Sequence, residues 1–448
     1  MDKLVIEGGH PLRGTLRVGG SKNTALPLMA AAVLAEGTTI LHNVPVLQDV
    51  FTFANVLRVT GCRVVFRPDE DADTPETMTI DATRVEHPEA PYDLVNKMRA
   101  SFYMLGALLV RCGYARVSLP GGCAWGPRPV DLHLKGLEAL GAQITMDQGY
   151  VVATVPPGGL RGARFRFEPS SVGATINVML AAVLARGTTV LENAAAEPDV
   201  VVFGEMLRAM GAQVEGLGTT TITIEGVERL RPVEFRNCPD RIELGTYMIA
   251  AAMAAAPGDT VRITAADPTQ LGHAFIEAFR QTGVPFELGP DYVNVTGVDR
   301  IEPVSIETAP YPGFPTDLQA QWTVLMTQAD GPSVVTDTIY TDRFKHIPEL
   351  GRMGVKVEVD ENRVLVAGRN GRPIQGTHVM STDLRASVSL VLAGLVAEGE
   401  THVLRVYHLD RGYERLEHKL AGAGIAIRRE EHQEEKVAAE VSGNGVAG

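Results

Sequence analysis

Along this 448-residue chain, long apolar runs end in a glycine and pass into a strand-like alternation, and the pattern recurs six times. The runs are LMAAAVLAEGTTILHNV, LGALLVRCGYARVSL, LAAVLARGTTVLENA, MIAAAMAAAPGDTVRIT, VLMTQADGPSVVTDTI and LVLAGLVAEGETHVLRV. Their glycines are Gly37, Gly113, Gly187, Gly258, Gly331 and Gly399, so successive subtraction gives spacings of 76, 74, 71, 73 and 68. A second series keeps the same beat: VLRVTGCRV, LEALGAQI, MLRAMGAQV, AFRQTGVPF, LGRMGVKV and LAGAGIAI, with Gly61, Gly141, Gly211, Gly283, Gly354 and Gly424. A helical apolar register followed by glycine reads as a helix and its left-handed cap, a conformation glycine enters at little steric cost. Each unit therefore predicts helix, stop, strand, helix, stop, strands. The first helix of a unit is apolar nearly all round and is expected to be buried; the second is amphipathic and is expected to face solvent.

Units of about 70 residues are longer than solenoid repeats, and each can form a small α/β layer. Six of them in a chain of this length divide into two domains of three. The seam is expected near Asn237–Asp240, with the short strands before Ser21 belonging to the second domain. The expected boundaries are 22–239 for the first domain, 1–21 plus 240–428 for the second, and a flexible tail over 429–448. That tail is charged and then small and polar, a composition that frays.

Composition narrows the function. The chain is 45% hydrophobic and 21% charged, ordinary for a globular protein, and its formal net charge of −13 argues against a nucleic-acid partner. The start, MDKLVIEGGHPLRG, carries no signal-peptide core, and no apolar run reaches membrane-spanning length, so a cytoplasmic protein without membrane insertion is expected. The four cysteines, Cys62, Cys112, Cys123 and Cys238, form neither a disulfide framework nor a metal pair. Nucleotide fingerprints of the GxxxxGK[ST] and GxGxxG kinds are absent, and no metal or cofactor is expected.

Polar residues open each buried helix: SKNTALP at 21–27, KMRAS at 97–101, SSVGAT at 170–175, PDRIELGT at 239–246, PTDLQAQ at 315–321 and TDLRAS at 382–387. The hydroxyls and carboxylates among them read first as N-caps. Lys22, Arg241 and Arg385 are different, because a cation in a first helical turn opposes the macrodipole. Several at equivalent places point to helix starts that face one anion-holding cleft. Arg99 shares the register of Arg385, each 14 residues before its closing glycine (113 − 99 and 399 − 385). Arg128, Arg343 and Arg411 add loop cations suited to phosphate and carboxylate groups. Cys123 stands in LPGGCAWGPRP, a stretch of turn residues where packing asks for no thiol.

With SKNTALP, MRAS, PGGCAWGPRPVDLH, PDRIE, FPTDLQAQ, DRFKHIPEL, TDLRAS and DRGYER in this order, the chain resembles the UDP-N-acetylglucosamine enolpyruvyl transferases over about residues 3–428. The resemblance implies two inside-out α/β barrels, each of three βαβαββ units with pseudo-threefold symmetry. It also implies small-molecule substrates: phosphoenolpyruvate gives its enolpyruvyl group to the sugar 3-hydroxyl, through a tetrahedral ketal that loses phosphate. This would be the first committed step of peptidoglycan synthesis. In that resemblance Cys123 is the proton donor and Asp317 the candidate base. Lys22, Asn23, Arg128 and Arg411 meet phosphoenolpyruvate, and Arg343 and Arg385 complete the basic lining. Asn23, Arg99, Arg128, Pro129, Val130, Asp131, Leu132, Ser171, Val172, Gly173, Asp317 and Ile339 are the UDP-sugar positions.

Glu197 and Asp240 are read as cleft carboxylates of mainly structural role, and Cys62, Cys112 and Cys238 as buried, inert thiols. Ala196, Val202 and Trp125 depart from the family's usual residues and bear on cleft closure rather than on the reaction. A cysteine at 123 also implies alkylation by the epoxide antibiotic fosfomycin. The alternatives are a shikimate 3-phosphate enolpyruvyl transferase, which lacks the loop cysteine, and a non-catalytic UDP-sugar-binding regulator. The sequence does not specify an oligomeric state.

Overall fold

The computed structural model describes residues 2–68, 76–96, 98–119, 130–369 and 372–431. Among these residues, six four-stranded mixed sheets carry the sixfold beat. In the third unit, Arg164–Arg166 runs parallel to Thr188–Glu192, which pairs antiparallel with Thr221–Glu225, and Gln213–Glu215 closes the edge. Between the two parallel strands the chain passes through the helix Val172–Ala182, a βαβ crossover. The same arrangement recurs around Met104–Cys112 and Gln319–Met326.

Three sheets are completed by distant segments. Glu234–Arg236, at the end of the third unit, supplies the parallel edge beside Thr38–His42 of the first. Thr15–Arg17 does the same for Thr260–Thr264. Asp2–Glu7 lies between Glu400–Leu404 and Ala426–Glu431, antiparallel to both. The amino-terminal strands thus complete the fourth and sixth sheets, and the last strand runs past the expected end of the second domain at 428: Arg429, Glu430 and Glu431, expected in the flexible tail, pair with Leu4, Lys3 and Asp2.

The helices that open the units are buried, as their largely apolar composition requires: all residues from Ala174 to Ala182 and from Ile242 to Ala252 are buried. Those that follow are amphipathic; Gln48–Val59 buries Val50, Phe53, Val56 and Leu57 on one face. Apolar side chains gather into two separate cores. One runs from Leu26 to Leu230; the other joins Leu4–Val18 to residues from Ile242 to Ile425. Helices inside and sheets outside make each half the inside-out α/β barrel that the resemblance implies.

Two glycines show why the register matters. Gly106 lets Met104–Cys112 press against Val172–Ala182, for a Cβ there would lie 2.4 Å from the Asn177 carbonyl oxygen. The same contact closes a hydrogen bond from Gly106 N to Asn177 Oδ1 at 2.8 Å. Eleven of the twelve repeat glycines take positive φ; Gly331 is the exception. It precedes Pro332, and the proline ring pushes its predecessor toward extended backbone. Among the described residues no helix is long and apolar enough to cross a membrane.

Candidate active site

Four of the six buried helices are capped by the side chains expected of them. Ser21 accepts from Thr24 N at 3.3 Å, Ser171 from Ala174 N at 3.3 Å, Asp240 from Ile242 N at 2.8 Å and Asp383 from Arg385 N at 2.9 Å. Met98 and Pro315 stand at the other two starts and cap nothing with their side chains. The first residue after each of three caps is a cation or lies next to one: Lys22, Arg241 and Arg385.

These helix starts meet at the seam between the two cores. Asp317, from the short turn Thr316–Leu318, binds Arg343 Nη1 through Oδ1 at 2.8 Å and Arg385 Nη2 through Oδ2 at 2.8 Å. Burial alone would raise the Asp317 carboxyl, but the Arg385 and Arg343 guanidiniums outweigh it and hold the group well below the usual carboxylate range. Arg385 also donates to the Tyr413 hydroxyl at 3.4 Å, and that hydroxyl meets Thr246 Oγ1 at 2.8 Å. Arg343 is steadied by Thr316 Oγ1 at 3.0 Å.

Lys22 and Arg411 approach from opposite cores. Lys22 Nζ lies 3.3 Å from Asp49 Oδ2, and Arg411 Nε lies 2.9 Å from Asp49 Oδ1. Burial pushes the Lys22 ammonium down from its usual range, Asp49 opposes this, and the nearby Arg385 and Arg411 add to the lowering. A second pair crosses the seam nearby, Arg241 Nη2 to Asp199 Oδ2 at 3.2 Å. Asp199 further accepts from Thr24 Oγ1 at 2.8 Å and Ser21 Oγ at 3.3 Å, which ties the start of Lys22–Ala31 to the pair. Lys22, Arg343, Arg385, Arg411 and Asp317 are therefore brought together.

The other expected positions are spread over several further elements. Arg99 begins the short helix Arg99–Tyr103, close enough to His133 for its charge to act there. Val130 is buried before the helix Asp131–Ala139, Leu132 packs on the first core, and Asp131 pairs with Lys135 at 3.2 Å on the surface. Val172 and Gly173 occupy the first turn after Ser171; a Cβ on Gly173 would lie 3.2 Å from His133 Cε1. Asn23 is half-buried beside Lys22. Ile339 is exposed, its N–H held by Asp337 at 2.9 Å. Cys123, Arg128, Pro129 and Trp125 lie outside the described residues.

Of the remaining cysteines, Cys62 and Cys238 are buried, and burial pushes the Cys238 thiol up to about 12. Cys112 is only half-buried, contrary to expectation, because it ends its helix beside Gly113; burial still raises its thiol. Ala196 is buried, and burial raises the carboxyl of the neighbouring Glu197. Sequence reasoning missed Asp49, Asp199 and Tyr413. One signal was present for the acids: Asp49 precedes Gly61, and Asp199 precedes Gly211, by the same 12 residues (61 − 49 and 211 − 199).

Two repeated α/β halves with a basic, carboxylate-bridged seam between them define the architecture of an enolpyruvyl transferase, and the comparisons agree. The family model for EPSP synthase (3-phosphoshikimate 1-carboxyvinyltransferase) matches residues 6–420. The UDP-N-acetylglucosamine 1-carboxyvinyltransferase of Chloroherpeton thalassium is 50% identical over 97% of this chain and 98% of its own. That of Chlorobium chlorochromatii is 51% identical over 97% of this chain and 100% of its own. The crystal structure of the enolpyruvyl transferase NikO from Streptomyces tendae superposes with a TM-score of 0.85 at 28% identity, covering 96% of this chain and 98% of that one. An EPSP synthase from Acinetobacter baumannii shares the fold, with a TM-score of 0.72 at 19% identity over 96% of this chain and 100% of its own. The chain belongs to the EPSP synthase family, within its branch of UDP-N-acetylglucosamine 1-carboxyvinyltransferases.

Proposed function

We propose that the protein transfers the enolpyruvyl group of phosphoenolpyruvate to the 3-hydroxyl of UDP-N-acetylglucosamine and releases phosphate, as the first committed step of peptidoglycan synthesis in the cytoplasm. The observation that carries this reading is the convergence of Lys22, Arg343, Arg385 and Arg411, from both halves, around Asp49 and Asp317. Such a set neutralises phosphate and carboxylate charge while bonds change at C2 and C3.

In this reading Cys123 protonates C3, the sugar hydroxyl attacks C2, and the ketal then loses phosphate and a C3 proton. Lys22 and Arg411, with Arg128, take the phosphate and carboxylate of the donor. Asp317 accepts the hydroxyl proton. Held ionised by two guanidiniums, it is a weak base in the resting site, so its part is to orient the hydroxyl and take its proton only as the C–O bond forms. Asn23, Arg99, Val130, Asp131, Leu132, Ser171, Val172, Gly173 and Ile339 are assigned to the UDP-sugar, with Arg128 and Pro129. Phosphate release is expected with phosphoenolpyruvate plus UDP-N-acetylglucosamine and not with shikimate 3-phosphate. Release with shikimate 3-phosphate alone would overturn the acceptor. Silence with both, while UDP-N-acetylglucosamine still binds, would favour a regulatory protein.

A further inference from the structure

Asp49 lies in the first turn of Gln48–Val59, where a carboxylate usually just meets the helix dipole. Here it does more. Its side chain is 6% exposed and meets cations of both halves: Oδ2 lies 3.3 Å from Lys22 Nζ, while Arg411 reaches both oxygens, Nε to Oδ1 at 2.9 Å and Nη2 to Oδ2 at 3.5 Å. Lys22 faces Arg385, Arg411, Asp317 and Asp49, and its main-chain nitrogen meets Asp240 Oδ2 at 3.4 Å. Of the acids near its ammonium, Asp317 is already bound to two guanidiniums. Among the described residues, the Asp49 carboxylate is the one that touches Lys22.

We propose that Asp49 is a positioning residue for phosphoenolpyruvate: it keeps the buried Lys22 protonated and holds Arg411 of the other half beside it, so that both cations are ready for one anion. The proposal rests on the reading that these two cations receive that substrate. Without the Asp49 charge, Lys22 sits in a desolvated site among guanidiniums, where losing its proton relieves both burial and repulsion. A neutral amine is a poor phosphate partner. Asp199 stands at the equivalent place in the third unit and also bridges the seam, but to Arg241 and not to Lys22. It provides a comparison in which an interdomain ion pair is lost while the Lys22 counter-ion stays.

The test is the pH profile of kcat/KM for phosphoenolpyruvate in the full-length protein. Asp49→Asn is expected to raise KM for phosphoenolpyruvate about tenfold or more, by taking from the buried Lys22 ammonium the carboxylate that touches it. The alkaline limb should move to lower pH, with the Kd for UDP-N-acetylglucosamine unchanged. Asp49→Glu should recover part of both effects, and Asp199→Asn should leave the alkaline limb in place. If Asp49→Asn fails to fold, Lys22→Arg serves instead: a guanidinium does not titrate in this range, so the Lys22 part of the alkaline limb should go and the limb should move to higher pH, leaving the ionisation of the Cys123 proton donor. A wild-type profile in Asp49→Asn, or an unmoved limb in Lys22→Arg, would overturn the proposal. Absence of phosphate release by the wild-type protein would instead sink the assigned activity.

Discussion

Replacing Asp317 by Asn removes one negative charge from between two guanidiniums while leaving the side-chain shape almost unchanged. Both oxygens of Asp317 are engaged at 2.8 Å, and the Arg343 and Arg385 side chains are only 9% and 6% exposed. An amide offers one oxygen to the two donors, and its NH2 turns toward the second guanidinium. A hydrogen bond to a charged group contributes about 1.5–3 kcal/mol. Breaking a buried pair costs about 3–5 kcal/mol. Asp317 is 26% exposed, so solvent screens part of this, and a loss of about 3 kcal/mol is expected. With a urea dependence of about 3 kcal/mol/M, the midpoint should fall by about 1 M. The chain has two tryptophans, Trp125 and Trp322, and Trp322 is fully buried in the second core, so in a Trp125→Phe background its fluorescence reports that half. The pH dependence fixes the cause. Asp317 is depressed in the folded state, so its contribution is present above the unfolded value of about 3.9 and is lost only as pH falls through the lower folded value. The difference between wild type and Asp317→Asn should therefore be flat from about pH 8 to about pH 5. A midpoint change below about 0.2 M, or a difference that shrinks between those pH values, would refute the ion-pair account.

Two further outcomes follow from the packing. Gly106→Ala places a Cβ 2.4 Å from the Asn177 carbonyl oxygen and should destabilise the first half by about 2–3 kcal/mol; an unchanged urea midpoint by circular dichroism would mean that the helices do not pack this closely. His133 and His346 are buried and held neutral by desolvation, with Arg99 and Arg343 respectively adding to it, and both are lowered to about 3. Their unfolded forms take up a proton as pH falls through about 6.5 while the folded forms do not, so stability is full above that value and declines below it. Between about pH 6.5 and 5.5 the pair should cost about 2 kcal/mol, and the double variant His133→Gln/His346→Gln should lose most of that slope; an equal slope would refute the assignment.

The repeat was legible because it rests on local chemistry. Apolar registers, polar helix starts and glycine stops each act within a few residues, and Ser21, Ser171, Asp240 and Asp383 cap where such residues are expected. What local pattern left open is partnership at long range. Nothing near Glu234 indicates that Glu234–Arg236 completes a sheet nearly 200 residues upstream. Gly331 failed as a left-handed cap for a reason also written locally, in the proline that follows it.

The carboxylates of the seam mark the deeper limit. Asp49 and Asp199 each sit in a first helical turn, and a residue there is read as a partner for the helix dipole. Only the fold reveals that each also reaches a cation of the other half, Arg411 and Arg241. The repeat explains why there are two. A βαβαββ unit places the start of its solvent-side helix at one end of the barrel, so equivalent residues of different units arrive at the same rim. One acid then faces Lys22 and the other faces Ser21 and Thr24, one residue before it and two after it in sequence. A single helix start, Lys22–Ala31, is thereby gripped by two repeat-related carboxylates. One sets the charge of its lysine and the other sets the position of its backbone, which is why the two substitutions should separate in pH behaviour even though both remove an ion pair across the same seam.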